Sequence, residues 1–330
     1  MSGPAGPVPE APRAPRVSVA VSTYRRAGSL ARLVRALEKQ TLPYEDFEVV
    51  IADDGSADGT GAALEELRRS SPLQLTVLHS DVNRGAAAGR NRAWRAGRAP
   101  VVAFTDDDCS PQPEWLEAGL DAMAGASVVV GRTVPPPEQE PLTDGPFARV
   151  LRVSEPKFFE TANIFYRRAD LERVDGFDET FLKSGEDTDL AMRLVPSSTV
   201  AFASDALVYH DVRPSDFLAA VRECRKWVDL PRVVKLHPEV RRTLLHRRVF
   251  WKDTHPPALL ALVGIVLAAT RRAPLALVLT APWVRLRVLK APLTFGPRRR
   301  WLVLPPGLAL DLVEVGVMVQ GSVRHHTLVL

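Results

Sequence analysis

The sequence predicts an α/β fold, a doubly wound parallel sheet, followed by a helical C-terminal region. Short apolar segments alternate with helical segments over the first two thirds of the 330 residues, the pattern of right-handed strand-helix-strand crossovers. Two of the predicted strands stop at acidic residues, and ligands of such sheets bind at the carboxyl edge of the strands. The last third is apolar and basic, so we expect one large domain with an appendage.

Charge and cysteine content indicate the cellular compartment of the chain and the kind of surface it binds. The formal net charge is +4, yet residues 257–330 contain nine Lys or Arg and two acids, so the positive excess belongs to the tail. A basic tail with apolar runs favours an anionic membrane surface over nucleic acid as a partner. Cys109 and Cys224 cannot build a framework of disulfides and suit a reducing cytoplasm.

Three regions are predicted along the chain. Residues 1–15 contain five prolines and lack the apolar core of a signal peptide, so we expect a disordered leader. Residues 16–230 are predicted to form the α/β domain. Residues 231–330 are predicted to be helical and to associate with a membrane.

The first half of the domain begins with three predicted strands, 16–21, 47–52 and 73–79, joined by helices. The second of these strands stops at Asp53 and Asp54. Parallel strands end at a common edge of the sheet, so these acids are expected at the ligand-binding edge.

A turn of small residues, 85–89, opens the next helix and lies between Arg84 and Arg90. Small residues let a backbone approach a ligand closely, and the planar guanidinium groups suit phosphate or carboxylate. A helix packed tightly on the sheet would explain the small residues equally well, but it explains the arginines less well.

An apolar run, 101–105, then stops at three consecutive acids, Asp106, Asp107 and Asp108. A strand of this composition is buried on both faces, so the acids emerge at its carboxyl end. Adjacent carboxylates repel one another, and oxygen ligands at such a place favour Mg²⁺ or Mn²⁺ bound together with substrate phosphates. A solvated acidic turn is the alternative.

The second half of the domain is less regular, with short predicted strands at 126–132, 161–166, 200–203 and 206–209. Glu186 and Asp187 lie at the start of a predicted helix, where the helix dipole favours acids, and Asp187 or Thr188 could be no more than its cap. His210 follows the last strand, and a lone histidine is more often structural than a metal ligand.

Taken in this order, the segments resemble the family 2 glycosyltransferases of the GT-A fold. The resemblance covers residues 17–229 and depends on the segments 19–24, 53–56, 83–85, 90–91, 105–108, 176–179 and 185–190, and on His210. It implies a mixed sheet of the GT-A type and a catalytic domain that moves a sugar from a nucleotide diphosphate sugar to a hydroxyl acceptor with inversion. A divalent cation would neutralise the diphosphate leaving group.

The resemblance also implies roles for individual residues. Asp108 and His210 would bind Mg²⁺ or Mn²⁺, Asp187 would be the catalytic base, and Glu186 would contact the acceptor or the donor sugar. The positions implied to bind the nucleotide sugar are Ser22, Thr23, Tyr24, Asp53, Asp54, Arg84, Arg90, Asp106 and Asp107. The family often has an aromatic residue before the Glu-Asp pair, where this chain has residues 183–185, so the acceptor's identity is less transferable.

The tail contains three apolar stretches, 258–270, 273–284 and 301–321. The first two are shorter than the roughly 20 residues that span a bilayer, and Arg271 and Arg272 separate them. We therefore expect shallow insertion or a re-entrant hairpin at the cytoplasmic face of the cell membrane. The third stretch contains Asp311 and Glu314 and permits a helix lying on the surface. A soluble helical subdomain packed on the catalytic domain is the alternative.

Two other functions compete with this interpretation. One is a catalytically silent scaffold that binds nucleotide sugars at the membrane, which is disfavoured because Asp108, Asp187 and His210 are all present. The other is a nicotinamide-dependent oxidoreductase, but no Gly-x-Gly-x-x-Gly follows Val21, where a dinucleotide fold carries it. The tail suggests that the acceptor is a lipid-linked or envelope glycan.

Overall fold

The computed structural model of the chain describes residues 14–145, 147–181, 183–290 and 299–330, with only the backbone at 290, 299 and 300. Residues 1–13, most of the predicted leader, lie outside the described residues. Two compact units are built from interleaved segments. Unit 1 comprises Met1–Arg132, Thr161–Gly176 and Ser197–Val208, and unit 2 comprises Thr133–Glu160, Phe177–Pro196 and Tyr209–Leu330.

A mixed sheet organises unit 1. Its strands are β1 (Val17–Thr23), β2 (Phe47–Asp53), β3 (Leu75–His79), β4 (Val101–Thr105), β5 (Cys109–Pro111), β6 (Val128–Val134), β7 (Asn163–Arg167) and β8 (Val200–His210). They lie in the order β3-β2-β1-β4-β7-β6-β8-β5. Strand β1 pairs in parallel with β2 and β4, and β2 pairs in parallel with β3, whereas β7 runs antiparallel to β4 and β6. The predicted α/β class and mixed sheet are therefore confirmed.

The helices of unit 1 are α1 (Ala27–Leu37), α2 (Thr60–Ser70), α3 (Ala86–Ala96), α4 (Trp115–Met123) and α5 (Arg168–Arg173). Helix α1 buries Leu30, Leu33, Val34 and Leu37, the side chains at helical spacing. Every residue of β2 and β4 is buried, as expected of central strands covered on both faces. Only the carboxyl ends of these strands can therefore offer polar groups to a ligand.

One prediction of secondary structure was wrong. Two short strands were expected at 200–203 and 206–209, and the structure has the single strand β8. Ser204 and Asp205 resemble a turn in sequence, but both are exposed on the strand between the buried Ala203 and Ala206. Polar side chains that face solvent leave the backbone hydrogen bonds of a strand intact, so the pair does not interrupt β8.

Asn163, the first residue of β7, satisfies three polar groups with one amide. Its Oδ1 accepts a hydrogen bond from Trp115 Nε1 at 2.8 Å, and its Nδ2 donates to the carbonyl oxygens of Arg132 at 2.9 Å and Ala206 at 2.8 Å. The side chain thus ties α4, β6 and β8 to the middle of the sheet. Buried polar groups without partners are costly, so Asn163 is a stability determinant of unit 1.

Unit 2 is mainly helical within the described residues. Its helices are α6 (Glu186–Leu194), α7 (Phe217–Cys224), α8 (Leu230–Leu236), α9 (Val240–Thr243), α10 (His255–Arg271), α11 (Ala281–Lys290) and α12 (Leu304–His325). One apolar core joins α8 to α12 through Val233, Val234, Val317 and Met318. A smaller core forms where Ala258 and Ala261 of α10 meet Trp283 of α11.

The two acids of the tail lie inside unit 2. Asp311 is fully buried and accepts hydrogen bonds from Trp283 Nε1 at 2.7 Å and from the Arg287 guanidinium, whose Nε is 3.1 Å away. Glu314 is also buried and accepts from Lys252 Nζ at 2.6 Å. Both carboxylates of the apolar helix α12 are therefore paired with cations of neighbouring segments, which satisfies their charge without water.

Replacing Asn163 by Ala should destabilise the protein by about 2–4 kcal/mol, because the mutation leaves the buried Trp115 indole N–H, the buried Ala206 carbonyl and the part-buried Arg132 carbonyl without their partner. Urea denaturation followed by tryptophan fluorescence measures the change in the free energy of unfolding. The exposed Asn83 provides a matched control, and Asn83→Ala should shift stability by less than about 0.5 kcal/mol. Equal shifts for the two variants would contradict the assignment.

Candidate active site

Three acids follow β4, and Asp106, the first of them, is half-buried. Asp107 and Asp108 are buried. Thr23 Oγ1 donates to Asp107 Oδ2 at 2.7 Å, and Arg90 Nη2 donates to Asp106 Oδ1 at 3.1 Å. The end of β1 and helix α3 thus meet the end of β4, as the parallel register predicts. The solvated acidic turn is wrong for Asp107 and Asp108.

The surroundings of Asp107 raise its pKa. Burial raises its pKa to about 7, and the neighbouring charges of Asp108 and Asp106 act in the same direction. The Thr23 hydroxyl and Arg26, whose Nε lies 3.8 Å from Asp107 Oδ1, act against this rise without cancelling it. A cluster of carboxylate oxygens short of positive charge has the donor chemistry that Mg²⁺ or Mn²⁺ requires, so these residues fit a divalent cation.

Asp54, directly after β2, fixes the loop that precedes α3. Asp54 accepts hydrogen bonds from the backbone N–H groups of Arg84, at 3.0 Å, and Gly85, at 2.7 Å. Gly55 has φ +81°, and a Cβ there would lie 2.7 Å from the Val82 carbonyl carbon, so the close approach requires glycine. These contacts place the start of α3 beside the end of β2.

Asp53 lies at the end of β2 and is buried. Its Oδ1 accepts from the Ser56 N–H at 3.2 Å, and His79 Nδ1 lies 3.5 Å from its Oδ2. The neighbouring carboxylates therefore differ, because Asp54 is bonded to a loop whereas Asp53 faces a titratable side chain.

The remaining predicted donor-site residues differ in exposure. Ser22 packs so closely on α3 that a Cβ at Gly89 would lie 2.0 Å from its Oγ, which explains the small residue in the turn. Tyr24 is 39% exposed, with the Arg25 guanidinium carbon 5.1 Å from its ring centroid. The Arg84 residue is exposed. Within unit 1 the structure thus gathers Thr23 and Arg90 at the triple acid and leaves Tyr24 and Arg84 on the surface.

The predicted acids of unit 2 occupy the first turn of α6. The helix is capped by Gly185, with φ +102° and no side-chain cap hydrogen bond. Neither Asp187 nor Thr188 is the cap residue, and the Thr188 hydroxyl instead donates to the Phe158 carbonyl at 2.9 Å. Glu186 is buried and Asp187 is half-buried. A purely capping role for these residues is therefore wrong.

Glu160 is a carboxyl that the sequence analysis did not single out. Burial raises its pKa to about 7, and the charge of Asp187 contributes to the rise. Its Oε2 is buried and has no hydrogen-bond partner in the described part of the chain. Residue periodicity cannot reveal this group, because the charge of Asp187 that acts on it lies 27 positions away in the chain.

His210 ends strand β8 and is buried. Its Nδ1 lies 3.1 Å from the Asp211 carbonyl oxygen. A carbonyl oxygen can only accept, so Nδ1–H is the donor in this contact. Histidines that bind a metal through Nε2 are commonly oriented in this way by a backbone carbonyl at Nδ1.

A second group of possible metal ligands lies in the tail. One ligand atom each of His255, Asp311 and Glu314 lie within 4.8 Å of one another. Arg287 and Lys252 already occupy the two carboxylates. Cations of the protein therefore take the place that a metal would fill, and the group is a buried ion-pair network.

Comparison with known proteins finds similarity to glycosyltransferases. Residues 18–172 match the family model described as glycosyl transferase family 2. The chain is 29% identical over 209 residues to glycosyltransferase AglE of Haloferax volcanii, covering 61% of this chain and 68% of that protein. It is 32% identical over 217 residues to validoxylamine A glucosyltransferase of Streptomyces hygroscopicus, covering 54% of this chain and 51% of that relative, about half its length.

A solved structure supports the architecture. The mannosyltransferase PcManGT from Pyrobaculum calidifontis, in complex with GDP-Man and Mn²⁺, is similar with a TM-score of 0.58 at 19% identity, covering 97% of this chain and 90% of that one. This likeness establishes the fold. Together with the match of residues 18–172 to the family model, just under half of the chain, and the similarity to named glycosyltransferases, it indicates a glycosyltransferase of the GT-A fold.

Proposed function

We propose that this glycosyltransferase moves a sugar from a nucleotide diphosphate sugar to a hydroxyl acceptor, with inversion at the anomeric carbon and with a divalent cation. The observation that carries the proposal is the acid cluster after β4, where Asp107 and Asp108 are buried and burial raises the pKa of Asp107 to about 7. The similarity of the chain to PcManGT, whose structure holds GDP-Man and Mn²⁺, supports both the proposed donor class and the proposed metal.

The donor is proposed to bind at the carboxyl edge of β1, β2 and β4. Asp53 and Asp54 would lie near the base or the ribose, and Asp106 near the ribose. The wall of the base pocket would be formed by Ser22, Thr23 and Tyr24. Two arginines, Arg84 and Arg90, would lie near the diphosphate or donor sugar. Asp107 would also contact the donor. The bond between Arg90 and Asp106 supports this arrangement, because it holds a guanidinium beside the acid cluster.

Asp108 and His210 are proposed to hold Mg²⁺ or Mn²⁺. Asp108 is a buried carboxylate directly after β4, and the Asp211 carbonyl orients the buried ring of His210 through Nδ1. A cation bound there would neutralise the charge that develops on the diphosphate as it leaves, without any proton transfer. The assignment of both residues to one ion comes from the family resemblance.

Asp187 is proposed to be the base. In an inverting displacement the acceptor oxygen forms a bond to the anomeric carbon as the bond from that carbon to the diphosphate oxygen breaks. The electron pair of the broken bond leaves with the diphosphate, and the hydroxyl proton passes to the base. Asp187 is half-buried in the first turn of α6, and Glu186 beside it would contact the acceptor or donor sugar.

The tail is proposed to hold the enzyme at the cytoplasmic face of the cell membrane, near a lipid-linked or envelope glycan acceptor. Helix α10 turns Ala258, Ala261 and Gly264 inward. It exposes a row of apolar side chains, Leu260, Leu262, Val263, Ile265, Val266 and Leu267. Arg271 and Arg272 at its end are exposed and would meet anionic headgroups.

The segment Trp301–His325, which contains α12, is long and apolar enough to cross a bilayer by length and composition. Its acids Asp311 and Glu314 are paired inside unit 2, and Val317 and Met318 belong to the apolar core. These contacts favour a surface association that leaves unit 2 folded over insertion of α12 as a span.

Removal of divalent cations should abolish release of the nucleoside diphosphate, and Mn²⁺ should restore it. Asp108→Asn should raise the Mn²⁺ concentration needed for half-maximal activity by about 10- to 100-fold, because one carboxylate ligand is lost. Asp205→Asn, at an exposed acid of β8, should behave as the wild type. Full activity in a chelator with no bound metal by elemental analysis would refute the cation.

Asp187→Asn should lower kcat by about 10²- to 10⁴-fold, because the amide cannot take the acceptor proton. Donor affinity, measured by calorimetry with the nucleotide sugar, should change by less than about twofold, since the base acts on the acceptor. The exposed Glu155 gives the matched control Glu155→Gln. Wild-type turnover in Asp187→Asn would remove Asp187 from the mechanism.

The doubly substituted variant Val263→Asp with Val266→Asp should lose binding to vesicles that contain anionic lipid. These side chains are 49% and 47% exposed, so the change removes apolar contact with lipid and leaves the core of unit 2 intact. Flotation in a density gradient measures the bound fraction. Val82→Asp, at a 54% exposed valine in unit 1, is the control, and flotation unchanged in all variants would disprove this surface.

A further inference from the structure

Helix α8 packs against the start of α6, the helix that contains Asp187. Gly185 caps α6 with φ +102°, a backbone conformation that favours glycine. A Cβ at this position would lie 2.7 Å from Val233 Cγ2 of α8 and 3.4 Å from Phe181 Cε1. The backbone at the start of α6 is therefore in direct contact with α8, and a side chain on the cap residue would force the two apart.

Arg232, next to Val233 on α8, holds the segment that precedes this cap. Its Nη2 donates to Asp178 Oδ2 at 2.8 Å and to the hydroxyl oxygen of Thr180. Its guanidinium carbon lies 4.0 Å from the centroid of the Phe181 ring, which is buried in the same apolar core as α8. One planar side chain thus contacts a carboxylate, a hydroxyl and an aromatic face at once, which the point charge of a lysine cannot do.

His237, directly after α8, contacts the first turn of α6. Its Nε2 lies 2.9 Å from Oδ1 of the buried Asp189. The Asp189 N–H donates to the Gly185 carbonyl at 2.9 Å, a backbone hydrogen bond of this turn. Asp187 lies between these two residues in the chain. Its backbone is therefore bracketed by two positions that α8 and the residue after it contact.

Helix α8 is itself held by α12, the long helix of the tail. A Cβ at Gly321 of α12 would lie 2.3 Å from the Val228 carbonyl oxygen and 2.9 Å from Pro231 Cγ. Asp229, directly before α8, lies with its Oδ1 3.1 Å from Nε2 of His325 on α12. These contacts add to the apolar core that joins the two helices. The position of α8 therefore depends on the tail.

We propose that Arg232 is a positioning residue for sugar transfer, because it fixes the turn before α6 and thereby the place of Asp187 beside the acceptor. The inference rests on the proposed role of Asp187 as base. A base must lie within hydrogen-bonding distance of the proton it takes, and a displacement of about 1 Å can lower a rate about 10²-fold. Helices α8 and α12 then serve catalysis as well as attachment to the membrane.

Arg232→Lys keeps the positive charge and loses the planar contacts, so kcat should fall by about 5- to 50-fold. The measurement is release of nucleoside diphosphate by the full chain with the nucleotide sugar that the wild type turns over. Donor affinity should change by less than about twofold, because Arg232 acts through the turn before α6. Arg242, an exposed arginine of unit 2, gives the matched control Arg242→Lys. A wild-type kcat in Arg232→Lys would overturn the proposal.

A second measurement separates positioning of the base from a general loss of structure. In the Asp187→Asn background, adding Arg232→Lys should lower kcat by less than about twofold, since the residue that it positions no longer takes the proton. The same loss in both backgrounds would contradict the proposal. Failure of the proposed function is a different result, in which Asp187→Asn alone keeps the wild-type turnover.

Hydrogen exchange gives a readout that needs no substrate. In Arg232→Lys the backbone N–H of Asp189 should exchange at least about fivefold faster than in the wild type, because its bond to the Gly185 carbonyl is less firmly held. The amides of α3 in unit 1 should keep their wild-type rates. Unchanged exchange at Asp189 would show that Arg232 does not fix the turn.

Two glycines of α12 test the part that the tail plays. Gly321→Ala places a methyl group against the Val228 carbonyl and should displace α8, so kcat should fall by at least about fivefold. Gly316→Ala is the matched control, because a Cβ there meets nothing within 4 Å, and it should keep the wild-type kcat. Equal kcat values for the two variants would show that α12 does not set the place of α8.

Discussion

Burial of carboxylates at the carboxyl edge of a parallel sheet is the constraint on which the structure of unit 1 depends. Strands β2 and β4 are buried along their whole length, so their polar groups can emerge only at the ends. Asp54 is satisfied by two backbone N–H groups of the loop before α3. That pairing fixes the loop, the loop fixes the start of α3, and α3 brings Arg90 to Asp106. A chain of local hydrogen bonds thus prepares a site for a charged ligand.

Structural acids and candidate functional acids differ in how far their charge is compensated. Asp189, Asp311 and Glu314 are buried in unit 2 and each is hydrogen-bonded to a basic side chain. Asp107 and the Oε2 atom of the half-buried Glu160 are buried with too little compensation, and the pKa values of the two residues rise to about 7. Such groups are costly for the fold, which is why perturbed pKa values concentrate where chemistry takes place. The same comparison excludes the tail cluster as a metal centre and retains the acids after β4.

Much of the sheet could be predicted, because the buried strands have local signatures. The apolar runs of β1, β2 and β4 and the acids that end two of them fix both the elements and their common edge. The break expected in β8 was wrong, since Ser204 and Asp205 look like a turn but face solvent. Glu160 could not be recognised, because one of the charges that act on it belongs to Asp187, 27 positions away in the chain. The pairing of Asp311 with Arg287 is nonlocal in the same way.

The internal pairing of Asp311 and Glu314 changes how the tail meets its surroundings. These are the two acids of residues 257–330, and both are buried and paired with basic side chains, the half-buried Arg287 and the exposed Lys252. The exposed arginines 271, 272 and 285 therefore contribute a positive electrostatic potential at the surface of the tail. Attraction of this kind is screened over about 8 Å at physiological ionic strength, whereas contact by the apolar row of α10 is not. Adhesion to lipid would then have a part that weakens with salt and a part that persists.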